Sequence, residues 1–277
     1  MAQEGSPVSI AKACQLAGLP RRTFYYQSKR RARRINDALA ARIKRVIDTL
    51  PYAGYRTVAW LLGENKNTVQ RIFQLKGWQV RKRRSGHRPR VQSLPSTASR
   101  PNERWATDMA RVWCGEEHRW CALTVVMNCY TRELLGWRLS RTGNAKATPR
   151  QRQGNAKAAE AALEEALINR YGVLGRAQDD LTIRSDNGLV FCSRRFTQTV
   201  YRYGIKQEFN RPHTPQRNGM VERLIRSVKE QCLWPHNFDS LEEARQALKA
   251  WFGYYDDHRP HQALKMKTPR QMYQLAA

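Results

Sequence analysis

The segment RPHTPQRNGMVERLIRSVKEQC, residues 211–232, joins a proline-bounded loop to an amphipathic helix that carries one acidic residue at its start. Pro212 and Pro215 keep the loop out of helix, and Asn218 is placed to cap the helix ahead of Gly219. Val221, Leu224, Ile225, Val228 and Cys232 follow at the helical spacing of a core-facing stripe. Glu222, Arg226 and Lys229 line up on a neighbouring stripe at the border of that face. A carboxylate in the first turn with two cations behind it can hold a metal ion while the cations hold phosphate. The same residues also fit an i,i+4 Glu–Arg pair on a solvated helix, and the segment alone favours that plainer arrangement.

Working outward, residues 181–186, LTIRSD, make a short buried strand that ends on Asp186, ahead of Asn187 and Gly188. A carboxylate at a strand end before a glycine turn sits at the rim of a sheet, where ligands bind, although a simple turn aspartate fits as well. A helix over 195–204 and a strand over 205–210 lead on to the opening loop. Upstream, ERWATDMARVW, HRWCALTVVMNCY and ELLGWRLS are aromatic and β-branched segments separated by GEE and YTR, the pattern of a three-stranded antiparallel meander. Asp108 stands at the centre of the first of these strands; taken alone, it reads as an edge or bulge residue. A helix, KAAEAALEEALINRYG, follows the meander. Before it GNAKA occurs twice, at 143–147 and 154–158, which reads as a short tandem duplication inserted ahead of the helix with its first copy a mobile loop. The resulting order is βββαβαβα. It puts Asp108, Asp186 and Glu222 at a strand centre, a strand end and a helix start, from which all three can converge.

The charge is unevenly placed. Of a formal net charge of +27, residues 1–100 hold +18, from 22 Lys+Arg against 4 Asp+Glu. Such an excess points to a polyanion, and nucleic acid is the expected partner. No apolar run approaches the roughly 20 residues of a membrane span and no signal peptide opens the chain, so a soluble, cytoplasmic protein is expected. The six cysteines are scattered without a CxxC pair and several sit in apolar runs, which suits reduced, buried thiols. Cys114, His118 and Cys121 lack a fourth ligand at sensible spacing, so no zinc is expected there.

Five segments follow from this. Residues 1–35 hold a helix, a turn at Gly18 and a second helix near Pro20, a helix-turn-helix candidate with Arg21 and Arg22; a simple helical hairpin fits equally well. Residues 36–80 make a second helix-turn-helix-like unit, whose third helix begins at an asparagine cap and carries Lys66, Arg71 and Lys76. Residues 81–101 are a basic, then Ser/Pro-rich linker in which Arg81, Lys82, Arg83 and Arg84 can follow a phosphate backbone. The core spans 102–238, and 239–277 forms a C-terminal helical extension, which reads mainly as packing.

WATD around Asp108, IRSDNG around Asp186, NGMVERLIRSVKE, the closing YYDDHRPHQALKMKTPRQMY, and the upstream GYRTVAWLL and NKNTVQRI together resemble the blocks of bacterial insertion-sequence transposases. The similarity is to the OrfB type of the insertion-sequence-3 family, and it covers nearly the whole chain. The resemblance implies an α/β fold: an RNase H-like, retroviral-integrase-type core with a mixed five-stranded sheet, preceded by small all-α helix-turn-helix modules. It makes Asp108, Asp186 and Glu222 the catalytic triad and Lys229, with Arg226 beside it, a contact to the element's end. Two departures stand out. Asn128 occupies a position where the family usually has aspartate, and the GNAKA repeat lengthens the interval between the two aspartates.

Carboxylates suit Mg²⁺, a hard cation, and Mn²⁺ can substitute. Two such ions can activate water or a 3′-hydroxyl and stabilise the leaving oxygen at phosphorus. The implied activity is a DDE transposase that binds the element's terminal repeats in double-stranded DNA, cuts a strand and joins the freed 3′-hydroxyl elsewhere. The implied partners are further copies of the chain, as a dimer or higher assembly on DNA, and an OrfA protein or OrfAB fusion. A catalytically silent DNA-binding regulator and a metal-dependent nuclease remain as alternatives.

Overall fold

The computed structural model describes residues 8–27, 35–80, 98–114, 119–141, 149–177, 180–210 and 218–276. Near the N-terminus, Ile10–Leu16 (α1) ends at Gly18, whose φ of +63° makes the turn, and Arg21–Phe24 (α2) is a single helical turn. That is shorter than the recognition helix expected from the sequence. Cys14 is the one buried residue of these two elements, so little apolar surface is available to fix a longer helix. Asp37–Thr49 (α3), Tyr55–Leu62 (α4) and Lys66–Lys76 (α5) pack Leu39, Ile43, Val58, Val69, Ile72 and Phe73 into one small core. The Asn36 and Asn65 side chains cap α3 and α5, and Gly63 and Gly77 end α4 and α5 in the left-handed conformation.

The sheet follows from side-chain alternation. Along Arg104–Cys114 (β1), Ala106, Ala110, Val112 and Cys114 are buried on one face together with Cys121, Leu123, Val125 and Met127 of Arg119–Asn128 (β2). Trp105 and Val126 belong to the core on the opposite face. Leu134–Ser140 (β3), Thr182–Ser185 (β4) and Lys206–Phe209 (β5) complete a five-stranded sheet of order β3-β2-β1-β4-β5. β1–β2 and β2–β3 are antiparallel, whereas β1–β4 and β4–β5 are parallel. The sheet is therefore mixed, and its parallel half needs helical crossovers. These are Pro149–Tyr171 (α6) and Arg194–Arg202 (α7), which cover the Trp105 face. α6 begins at Pro149 and contains the whole second GNAKA copy; the first copy, 143–147, lies outside the described residues.

Gly219–Val228 (α8) and Leu241–Asp257 (α9) cover the other face. A π-helical turn, Lys229–Leu233, continues α8, and Pro269–Gln274 (α10) closes the chain behind a Thr268 capping box. Within the C-terminal extension, His261 packs edge-on to Tyr255 and Arg259 lies over the same ring, which makes this block a packing element. Among the described residues, no helix is long and apolar enough to cross a membrane.

Asn128 is fully buried and serves the β2–β3 turn. Its Oδ1 accepts from the Tyr130 and Thr131 amides, at 2.9 and 3.4 Å, and its Nδ2 donates to Asn102 Oδ1 at 3.2 Å. An aspartate could accept the two amides but could not donate to Asn102.

Candidate active site

Asp108 shares its strand parity with Ala106, Ala110, Val112 and Cys114, so the alternation that builds the sheet aims it at the face covered by α8. It pairs across the sheet with Val125. Burial is the main cause that pushes its pKa up to about 7, reinforced by the charges of Asp186 and Glu222. The Met109 amide, donating to Asp108 Oδ1 at 2.7 Å, and Lys229 act in the other direction.

Glu222 stands in the first turn of α8, and burial raises its pKa as well. The start of α8 is held differently from the cap read in the sequence. The Asn218 side chain makes no capping bond; it is buried and its Nδ2 donates to the Thr107 carbonyl at 3.4 Å. That bond ties the beginning of α8 to the residue preceding Asp108. Asp108, Met109, Glu222, Arg226, Lys229 and Trp234 line one cleft of about 550 Å³. The Glu222–Arg226 pair that the segment taken alone would favour is not formed: Arg226 Nε donates to Glu230 at 2.8 Å, and Glu222 has no hydrogen-bond or ion-pair partner among the described residues.

Asp186 follows β4 directly. Its Oδ1 accepts the Gly188 amide at 3.0 Å, and a Cβ on Gly188 would stand 2.8 Å from that oxygen and displace the carboxylate from its turn. Asn187 Nδ2 donates to the Asn210 carbonyl at 2.8 Å and clamps the ends of β4 and β5 together. Arg184, buried in β4, makes a two-pronged pair with Glu208 of β5, at 2.9 and 3.0 Å. Asp186 is exposed and does not line the cleft, though its charge reaches Asp108. As placed, no three His, Cys, Asp or Glu residues among those described stand close enough to hold a metal ion together.

The other basic residues singled out in the sequence lie elsewhere. Arg21 and Arg22 are on α2, Lys66 and Arg71 on α5, and Arg81, Lys82, Arg83 and Arg84 fall outside the described residues, as do His118 and the loop 211–217. Cys114 and Cys121 are buried core residues. Trp234 escaped the sequence reading. A tryptophan twelve positions after Glu222 is off the α-helical stripe, and the π-turn that restores it is not legible in the residues.

A mixed sheet of order 3-2-1-4-5, with crossovers on one face and, on the other, Asp108 facing the helix that carries Glu222, is an RNase H-like α/β fold. Comparison with known proteins agrees. An integrase core domain matches residues 98–215, and a second integrase core domain description matches 203–269. An uncharacterized 39.2 kDa protein of insertion element IS476 from Xanthomonas euvesicatoria is 28% identical, over 97% of this chain and 73% of its own length. An uncharacterized 31.7 kDa protein of insertion element IS407 from Burkholderia multivorans is 27% identical, over 95% of this chain and 89% of its own. Transposase InsD of insertion element IS2 from Escherichia coli is 25% identical, over 96% and 91%. Among solved structures, the HTLV-2 integrase catalytic core in complex with magnesium aligns with a TM-score of 0.46 at 17% identity, over 64% of this chain and 99% of that one. The integrase core domain matches over residues 98–269 and the similarity to insertion-element proteins along nearly the whole chain support a bacterial insertion-sequence transposase with an integrase-like core.

Proposed function

We propose that the chain is a DDE transposase of the OrfB type, which cuts a DNA strand at the end of its element and joins the freed 3′-hydroxyl to a second phosphodiester. The observation that carries this is the cleft lined by half-buried Asp108, Glu222 and Lys229. Asp108, Asp186 and Glu222 are acceptors short of donors: Asp108 and Asp186 each take one backbone amide, and Glu222 takes no partner among the described residues. Such a set of hard oxygen donors suits Mg²⁺ or Mn²⁺, and Asp108, Asp186 and Glu222 would hold it, as one ion or two. When bound, the metal supplies charge neutralisation at phosphorus and lowers the pKa of a coordinated water.

The protein's own side chains bind and orient. Lys229 and Arg226 lie on the DNA side of the cleft and take phosphate oxygens, Arg226 exchanging Glu230 for the strand. Ala110 and Ile225 supply apolar surface to the lining of the cleft beside Asp108. In the first step water oxygen bonds to phosphorus and the 3′-oxygen leaves with a proton. In the second step that 3′-hydroxyl attacks a new phosphodiester and displaces its 3′-oxygen, so bond number is conserved. Lys66 and Arg71 of α5, Arg21 and Arg22 of α2 and the basic run Arg81–Arg84 are assigned to the flanking duplex, with the helical segments before residue 81 as DNA-binding modules. One site acting on two DNA ends calls for two or more copies, and an OrfA partner would add further DNA contacts.

The test is strand cleavage and joining on a labelled oligonucleotide of the element's own end, with Mg²⁺ or Mn²⁺, alongside Glu222→Gln. Joined products that disappear in the variant are expected. Products that persist in Glu222→Gln would overturn the assignment, and cutting without joining would reduce the protein to a nuclease.

A further inference from the structure

Trp234 is 63% exposed, yet it lines the same cleft as Asp108 and Glu222. A large apolar ring left open beside charged groups calls for a reason. Of the three other exposed tryptophans among the described residues, Trp113 and Trp120 pack on each other at 5.2 Å, and Trp60, on α4, is less exposed than Trp234 and does not line this cleft. Trp234 makes no ring or cation–π contact among the described residues.

Its position depends on a backbone irregularity. Trp234 lies twelve residues after Glu222. At about 100° per residue, a regular α-helix would turn it roughly 120° away from the Glu222 stripe. The Trp234 amide donates to the Lys229 carbonyl at 2.8 Å, five residues back, and closes the π-turn Lys229–Leu233. One residue absorbed in that turn reduces the offset to about 20°. Glu222, Arg226, Lys229 and Trp234 thereby share one side of a continuous helix, and all four line the cleft. A carboxylate, two cations and an aromatic face in that sequence match the parts of a DNA strand: reacting phosphate, neighbouring phosphates and a base.

We propose that the exposed indole of Trp234 is a stacking platform for an unpaired nucleobase of the strand whose phosphodiester lies at Asp108 and Glu222. The inference rests on the reading of that cleft as the DNA-cutting site. Every base offers a π-face, so the platform selects for an unstacked base without selecting its identity. Twelve residues at about 1.5 Å rise span about 18 Å, which puts the stacked base about three to five nucleotides from the reacting phosphate.

The experiment uses the full chain and its element-end duplex, with 5-iodouracil placed in turn at each of the positions next to the cut, without metal. Irradiation is expected to join a base in the three-to-five-nucleotide window to Trp234, located by mass spectrometry. Trp234→Ala should bind a duplex with a mismatch in that window about tenfold more weakly, should bind the fully paired duplex as wild type does, and should keep the wild-type melting temperature. Trp234→Phe should retain the mismatch preference. A crosslink at no position, or equal loss of paired and mismatched DNA in Trp234→Ala, would overturn the platform. Cleavage with Mg²⁺ is read in parallel on the wild type. A chain that crosslinks at Trp234 but never cuts would support the platform while removing the catalytic reading, whereas a chain that cuts but does not crosslink would do the reverse.

Discussion

The two faces of the sheet treat carboxylates in opposite ways. On the α6 side each of three glutamates is satisfied. Glu160 takes Arg195 and the Thr199 hydroxyl, Glu164 takes the Tyr203 hydroxyl at 2.9 Å, and Glu165 takes the Trp137 amide and Arg138. On the α8 side half-buried Asp108 accepts one neighbouring amide, and Glu222 has no hydrogen-bond or ion-pair partner among the described residues. The first face is finished as a protein core. The second has an apolar core of its own but leaves these two carboxylates short of donors. Both sides of the sheet bury an apolar core, and the carboxylates short of donors lie on the α8 side.

The most severe break of this contrast is Asp108→Asn. Cleavage and joining should fall by about 10³-fold or more, measured with Mg²⁺ on the element-end duplex. Its stability should move the opposite way. A carboxyl whose pKa is raised in the folded chain binds its proton more tightly when folded, so its contribution is fully present below the unfolded value and is lost as pH rises through about 7. In metal-free buffer at pH 8, Asp108→Asn should therefore be more stable than wild type by about 1–2 kcal/mol, with the gain gone by pH 4, in urea melts.

On the finished face, Gly136→Ala should cost about 2–4 kcal/mol. A Cβ there would be driven into the Ala162 carbonyl and would stand 2.8 Å from the Ala166 amide nitrogen, both α6 backbone that cannot yield locally. Activity per folded molecule should survive at permissive temperature. Asn128→Asp tests the turn that joins β2 to β3. It sets a buried acceptor against Asn102 Oδ1, and a loss of about 1–3 kcal/mol is expected in thermal melts. The smallest effect is expected from Lys229→Ala. DNA affinity should drop about tenfold and the salt slope of binding should lessen by about one, with folding unchanged.

Much of the molecule was legible in the sequence because its signals are local. Period-two alternation in 104–114 and 119–128 and the helical stripe after Asn218 required no knowledge of distant partners, and the βββαβαβα order followed from them. Strand parity aims Asp108 at the α8 face, although in the sequence Asp108 alone reads as an edge or bulge residue. Signals that depend on other segments were read wrongly or not at all. Asn218 looked like a cap, but the nearness of β1 gave its amide a carbonyl to bind. Arg226 could equally have paired with Glu222 or Glu230, and the packing of the helix chose Glu230. The second GNAKA copy joined α6, since a helix with an apolar face to bury propagates through any preceding residues that tolerate it.

The sequence by itself therefore determined the elements, their order and the faces on which the three carboxylates lie, since these follow from side-chain period and chain connectivity. Only the tertiary structure decided that Asp108 and Glu222 share a cleft while Asp186 stands at its rim, and that a π-turn swings Trp234 in beside them. Those outcomes depend on burial, backbone hydrogen bonding and the approach of segments more than a hundred residues apart, such as Thr107 and Asn218.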